Sequence, residues 1–246
     1  MSQRKLQLDG DADWRTQWDD IYAFVREWLQ VDFVGATPVA GVFDIERSAG
    51  IRLPPSVHEW LRFATASHGL EPHFTFRDCL VVERMKDHDA VSLLLQGEQD
   101  TYWAIESQHL KEENPPVTVY YLDYDDPDGR FVREGTWAPT VTSFAFDYFL
   151  AYLQSPGGGF RVRTTSSKFN RDMLVADLGQ PNLFGHLEVF TTDGILAALS
   201  TFPANWHSDE LKVEVQRPRS LDQLPLSIRR LIPDAHVFAG VIGSYR

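Results

Sequence analysis

The chain has 246 residues, of which 43% are hydrophobic and 13% aromatic, and it carries a net charge of −12. That apolar content supports a packed core and excludes an intrinsically disordered chain. No apolar run approaches the roughly 20 residues that span a bilayer, and the acidity argues against a direct nucleic-acid binder, whose affinity rests on neutralising phosphates.

The elements follow in chain order. Trp14, Trp18, Ile21, Phe24 or Val25, and Trp28 or Leu29 repeat at helical spacing, predicting an amphipathic helix from about Trp14 to Gln30. Thr37-Pro38 fits an N-cap and first helical position, and Val39, Val42, Phe43, Glu46 and Ala49 continue a helical stripe that Gly50 can close. Pro54 forbids continuation and Pro55 can open the next helix, whose apolar stripe is Val57, Trp60, Leu61 and Ala64, with Gly69 as its expected end. Glu46 lies on or beside the inward stripe. Either it snorkels at the edge and pairs with an Arg, or it accepts the free N–H groups that open the Pro55 helix, which lacks a Ser or Asp cap.

Beyond Gly69 the period changes to that of strands: Cys79–Met85, Val91–Gln96, Thr101–Glu106 and Val117–Leu122, in an antiparallel meander. A turn at Pro127-Asp128-Gly129 leads to a short strand near Phe131–Arg133, and a helix is expected over Thr142–Leu153. Ser155-Pro156-Gly157-Gly158-Gly159 reads as a linker. Strands are then expected at Met173–Leu178, Leu187–Thr192, Ile195–Ser200 and Leu211–Gln216, with a two-residue hairpin at Asp193-Gly194, before a helix over Pro225–Ile232. The expected fold class is α+β, with helices packed on a mostly antiparallel sheet. Its parts are a domain at 14–153, a linker at 154–160 and a C-terminal α+β module of unknown role, an extension or small second domain, at 161–246.

Little in the sequence points to chemistry. Cys79 is the sole cysteine, so no internal disulfide and no cysteine-based metal site can form. MSQRKLQLDGDADW lacks the apolar stretch of a signal peptide, and a cytoplasmic location is expected. His58-Glu59 begins like a zinc-protease helix, but Arg62 stands where the second His belongs. Nucleophile elbows, phosphate loops and dinucleotide fingerprints are absent, so no catalytic residue, metal or cofactor is assigned.

Asp123-Tyr124-Asp125-Asp126-Pro127-Asp128-Gly129 tempts a calcium reading. With Gly129 as the invariant sixth residue, Tyr124 and Gly135 would fall where the first and twelfth ligands belong, so that reading fails. The stretch is either a solvated hairpin loop or an acidic, Tyr-containing contact patch, with Asp123, Tyr124, Asp125, Asp126 and Asp128 as candidate partner-binding residues. The charge is one-sided: residues 154–246 carry 10 Lys+Arg against 9 Asp+Glu, leaving 13 against 26 for residues 1–153. Such a field speeds encounter with a basic protein, although acidity also serves solubility alone.

Glu46, Gly50, Leu53 and Pro54, in the pattern E-x-x-x-G-x-x-L-P, followed by a helix that carries Trp60 and ends near Gly69, resemble the SUKH superfamily. That group includes fungal cell-wall regulators and many bacterial immunity proteins. The resemblance covers about residues 14–153. It implies a non-enzymatic binding protein, most concretely a cytoplasmic immunity protein that occludes a toxin domain, or otherwise a regulatory or scaffold protein with no toxin partner. No nucleic acid or membrane partner is expected.

Overall fold

The computed structural model describes residues 12–34, 46–47, 50–70, 80, 82–95, 100–153, 160–165, 170–192, 194–200, 210–215, 224–230 and 236–239. The fold is α+β, with one antiparallel sheet of four strands and another of six. Two compact units divide the chain: Phe33–Gly69 with Phe76–Phe146, and Met1–Asp32 with Leu70–Thr75 and Asp147–Arg246. The first helix therefore groups with the C-terminal part. Residues 154–159 of the expected linker lie outside the described residues, and residue 160 already opens a strand.

In the unit of residues 33–69 and 76–146, helix α2 (Pro55–Ser67) precedes a meander of β1 (Ala90–Leu95), β2 (Thr101–Glu106), β3 (Val117–Leu122) and β4 (Phe131–Ala138), in that spatial order. Pro55 stands at the first helical position, where a missing N–H costs nothing. Val57, Trp60, Leu61, Phe63 and Ala64 are buried. Trp60 meets Phe144 of the next helix edge-on at 5.3 Å, and Phe144 lies 6.2 Å from Trp103 of β2, which ties helix to sheet. Helix α2 does not end on a left-handed Gly69. His68–Leu70 continue as a single 3-10 turn, and Gly69 is not among the residues with positive φ.

The opposite face of the meander is covered as well. Ala90, Ala104 and Tyr120 form a small core there with Met85, Tyr102 and Phe131. The His88 ring lies 4.7 Å from that of Tyr120, and its Nε2 is 2.6 Å from the Phe131 carbonyl oxygen. Of the expected strand over Cys79–Met85, Cys79 and Val81 lie outside the described residues; among the rest, Arg84 bridges Val91 in antiparallel fashion, the Met85 N–H donates to the Ala90 carbonyl and the Ser92 N–H to the Glu83 carbonyl. Residues 86–89 turn back into β1. Strand β4 runs longer than expected, and its pairing with β3 slips twice, leaving Glu134 and Trp137 as extra residues.

Helix α3 (Val141–Tyr152) begins in this unit and ends in the other. A reciprocal cap starts it: the Ser143 N–H donates to Thr140 Oγ1 at 3.1 Å and the Thr140 N–H to Ser143 Oγ at 3.3 Å. The N–H and hydroxyl of Thr142 both donate to Asn114 Oδ1.

The other unit holds α1 (Trp14–Leu29), whose N-cap Asp13 accepts from the amides of Arg15 and Thr16, and which closes on left-handed Gln30. Trp18, Ile21, Phe24, Val25, Trp28 and Leu29 are buried, as the helical spacing requires. Phe24 meets Phe149 of α3 edge-on at 6.5 Å. The six-stranded sheet runs β10 (His236–Ala239), β5 (Phe160–Thr165), β9 (Glu210–Val215), β8 (Ile195–Ser200), β7 (Leu187–Thr192) and β6 (Asn182–Phe184) in space. Strands β7 and β8 pair as expected, with Thr192 opposite Ile195 and Gly194 at φ +69°, while Asp193 of the expected hairpin lies outside the described residues.

Residues Met173–Leu178 are not a strand. They belong to helix α4 (Arg171–Leu178), because Asn170 Oδ1 accepts the Met173 N–H and caps a helical start. The short α5 (Leu226–Arg229) packs near it, and Asp177 Oδ2 accepts the Ser227 N–H at 2.8 Å. Leu174, Phe190, Ala197, Leu199, Val213 and Ile228 form the core on this face.

Candidate partner-binding site

The acidic stretch is the tip of the β3–β4 hairpin, and it is more ordered than a solvated loop need be. The Asp123 N–H donates to the Arg130 carbonyl at 2.8 Å and closes the hairpin. Two successive turns follow: Asp126 N–H to the Asp123 carbonyl at 3.2 Å, and Gly129 N–H to the Asp126 carbonyl at 3.0 Å. Each begins with an Asp whose carboxylate accepts the amide two residues on: Asp125 N–H to Asp123 Oδ1 at 3.0 Å, and Asp128 N–H to Asp126 Oδ1 at 2.9 Å. Gly129, at φ +64°, provides the left-handed exit.

The five candidate residues therefore separate by role. Asp123 and Asp126 build the turns. Asp128 and Asp126 lie 3.5 and 3.7 Å from the Arg130 guanidinium, so part of the charge is balanced locally. Among the described residues no hydrogen bond or ion pair engages the exposed Asp125 carboxylate. Tyr124 is 77% exposed, and its hydroxyl donates to Asp100 Oδ2 at 3.1 Å. Asp100 sits just before β2, and sequence reasoning missed it. The signal lay in the pairing, since the Leu122 N–H donates to the Asp100 carbonyl.

The motif residues turn out to be architecture. Glu46 is not in open solvent: its side chain is 17% exposed, and Oε1 accepts the Leu53 N–H at 2.9 Å. The same oxygen lies 3.3 Å from His58 Nε2, so the ion-pair partner that Glu46 has among the described residues is a His in place of the expected Arg. Glu46 does not receive the amides that open α2, either. The Ser56 N–H donates to the Glu113 carbonyl, and Val57 and His58 donate to the Pro54 carbonyl. Instead Glu46 anchors the Gly50–Pro54 connection, with Leu53 and Pro54 buried. Most of the expected Thr37–Gly50 helix lies outside the described residues, though Glu46 and Arg47 are helical. Gly50 takes φ +62° with nothing within 4 Å of an added Cβ. Gly50→Ala should therefore destabilise by about 1–2 kcal/mol through backbone strain alone, measurable by urea unfolding, and a neutral result would mean that the turn relaxes.

Two further polar clusters emerged only with the fold. At the end of β2, Glu106 Oε1 accepts from Arg133 Nε at 2.6 Å and Oε2 from Gln108 at 3.2 Å. The Arg133 hydrogen bond holds the Glu106 carboxyl below the usual carboxylate range, and the same bond raises Arg133. Nearby, burial pushes the Tyr120 hydroxyl up. A depressed carboxyl stabilises the fold above its unfolded pKa, and that contribution is lost as pH falls through the lower folded value. Arg133→Ala should thus move the Glu106 carboxyl titration upward in NMR, and the stability gap between variant and parent should close below about pH 4. An unmoved Glu106 would show that the pair is not formed.

The other cluster is buried. Ser200 Oγ donates to Asp147 Oδ1 at 3.0 Å, and His186 Nε2 lies 3.5 Å from Asp147 Oδ2, with side chains 9% and 3% exposed for His186 and Asp147. The serine hydroxyl is directed at the carboxylate and not at the imidazole, so the three do not form a nucleophile–base arrangement. Among the described residues, no group of three or more His, Cys, Asp or Glu side chains could hold a metal ion. Glu59 of the failed zinc motif instead pairs with Arg62 at 2.8 Å. No described helix is long and apolar enough to cross a membrane.

No protein-family model, no curated protein and no solved structure matches this chain.

Proposed function

We propose that the chain is a non-enzymatic protein-binding protein of SUKH type, working in the cytoplasm as an immunity protein that occludes a basic toxin domain. The observation that carries this reading is the hairpin tip, where Asp123 and Asp126 spend their carboxylates on the turns and thereby hold Tyr124 and Asp125 outward. A preorganised aromatic beside free negative charge is well suited to a cationic partner surface, because little ordering entropy remains to be lost on docking. The order of α2, a four-stranded meander and α3 supports the resemblance, as does the excess of acid in residues 1–153. In the immunity reading, carboxylates take the places that phosphates would occupy on a nuclease-like toxin.

Co-expression with a toxin encoded beside this gene should restore growth and give a stable complex; failure of both would remove the immunity reading. Within that complex, the double variant Tyr124→Ala, Asp125→Lys should lower the association rate about tenfold at low salt and flatten its salt dependence. Its unfolding free energy should stay within about 0.5 kcal/mol of the parent. Asp123→Ala and Asp126→Ala should each cost about 1 kcal/mol of stability instead, through the lost turn hydrogen bonds. Unchanged toxin binding by the double variant would make the tip irrelevant to the partner.

A further inference from the structure

We draw no further inference here: the strongest candidate, the buried Asp147–His186–Ser200 cluster between helix α3 and the six-stranded sheet, offers two metal-ligating side chains with no third donor among the described residues, and its buried serine hydroxyl is directed at the carboxylate and not at the imidazole.

Discussion

Replacing Trp60 with alanine should lower the free energy of unfolding by about 3–5 kcal/mol, the range for truncating a large buried aromatic. Trp60 is fully buried in α2, and its ring packs edge-on against Phe144, which in turn lies against Trp103 of β2. The indole thus fills the junction of two helices and a sheet, where no single element can collapse into the space without dragging the others. Such a loss is a large share of the 5–15 kcal/mol that holds a typical domain. Urea unfolding followed by circular dichroism would measure it. Trp60→Phe should recover much of the loss, since it restores a ring against Phe144. A cost under about 1 kcal/mol for Trp60→Ala would mean that the indole does not hold this junction together.

The second large effect is expected at Asp147. Its carboxylate lies inside the protein, with Ser200 donating to one oxygen and His186 3.5 Å from the other. A buried charge is tolerated only while its partners stay in place. Asp147→Ala removes the shared acceptor and leaves a buried hydroxyl and a buried imidazole without it, which should cost about 3 kcal/mol. Ser200→Ala, which removes one donor, should cost about 1 kcal/mol. The double variant should cost less than the sum of the two, because the hydroxyl has nothing left to lose once Asp147 is gone. Strict additivity of the two unfolding energies would show that the hydrogen bond contributes nothing.

Where local pattern decided the structure, the sequence could be read almost residue by residue. Thr101–Glu106, Val117–Leu122, Leu187–Thr192 and Ile195–Ser200 are strands with the expected ends, because alternating or β-branched runs there are bounded by turns. The indole and phenyl spacing of α1 likewise leaves only one face to bury. The failures have physical causes. Met173–Leu178 is a short apolar run, for which periodicity cannot separate strand from helix. The deciding signals were the cap Asn170 at one end and Gly179, at φ +86°, at the other. Asn182–Phe184 is too short to announce itself, although Gly185, at φ +59°, stands where a two-residue hairpin favours glycine. The clusters around Glu106 and Asp147 join residues 27 and 53 positions apart, which no local pattern can show. At the hairpin tip the acidic residues themselves were legible, but the split between turn-building Asp123 and Asp126 and outward Tyr124 and Asp125 depends on carboxylate direction, which only the fold fixes.

The two slips in the β3–β4 pairing bear on how the molecule behaves among its own copies. Among the described residues strand β4 ends its sheet, and at eight residues it would offer a long row of amides and carbonyls to a passing chain. Extra residues at Glu134 and Trp137 break that row into short pieces and twist it out of line, and Arg133 and Glu134 add charge along it. A straight strand laid alongside would meet two mismatches within one strand length. The irregular edge therefore disfavours edge-to-edge pairing with a strand of another copy, beside the exposed acidic hairpin.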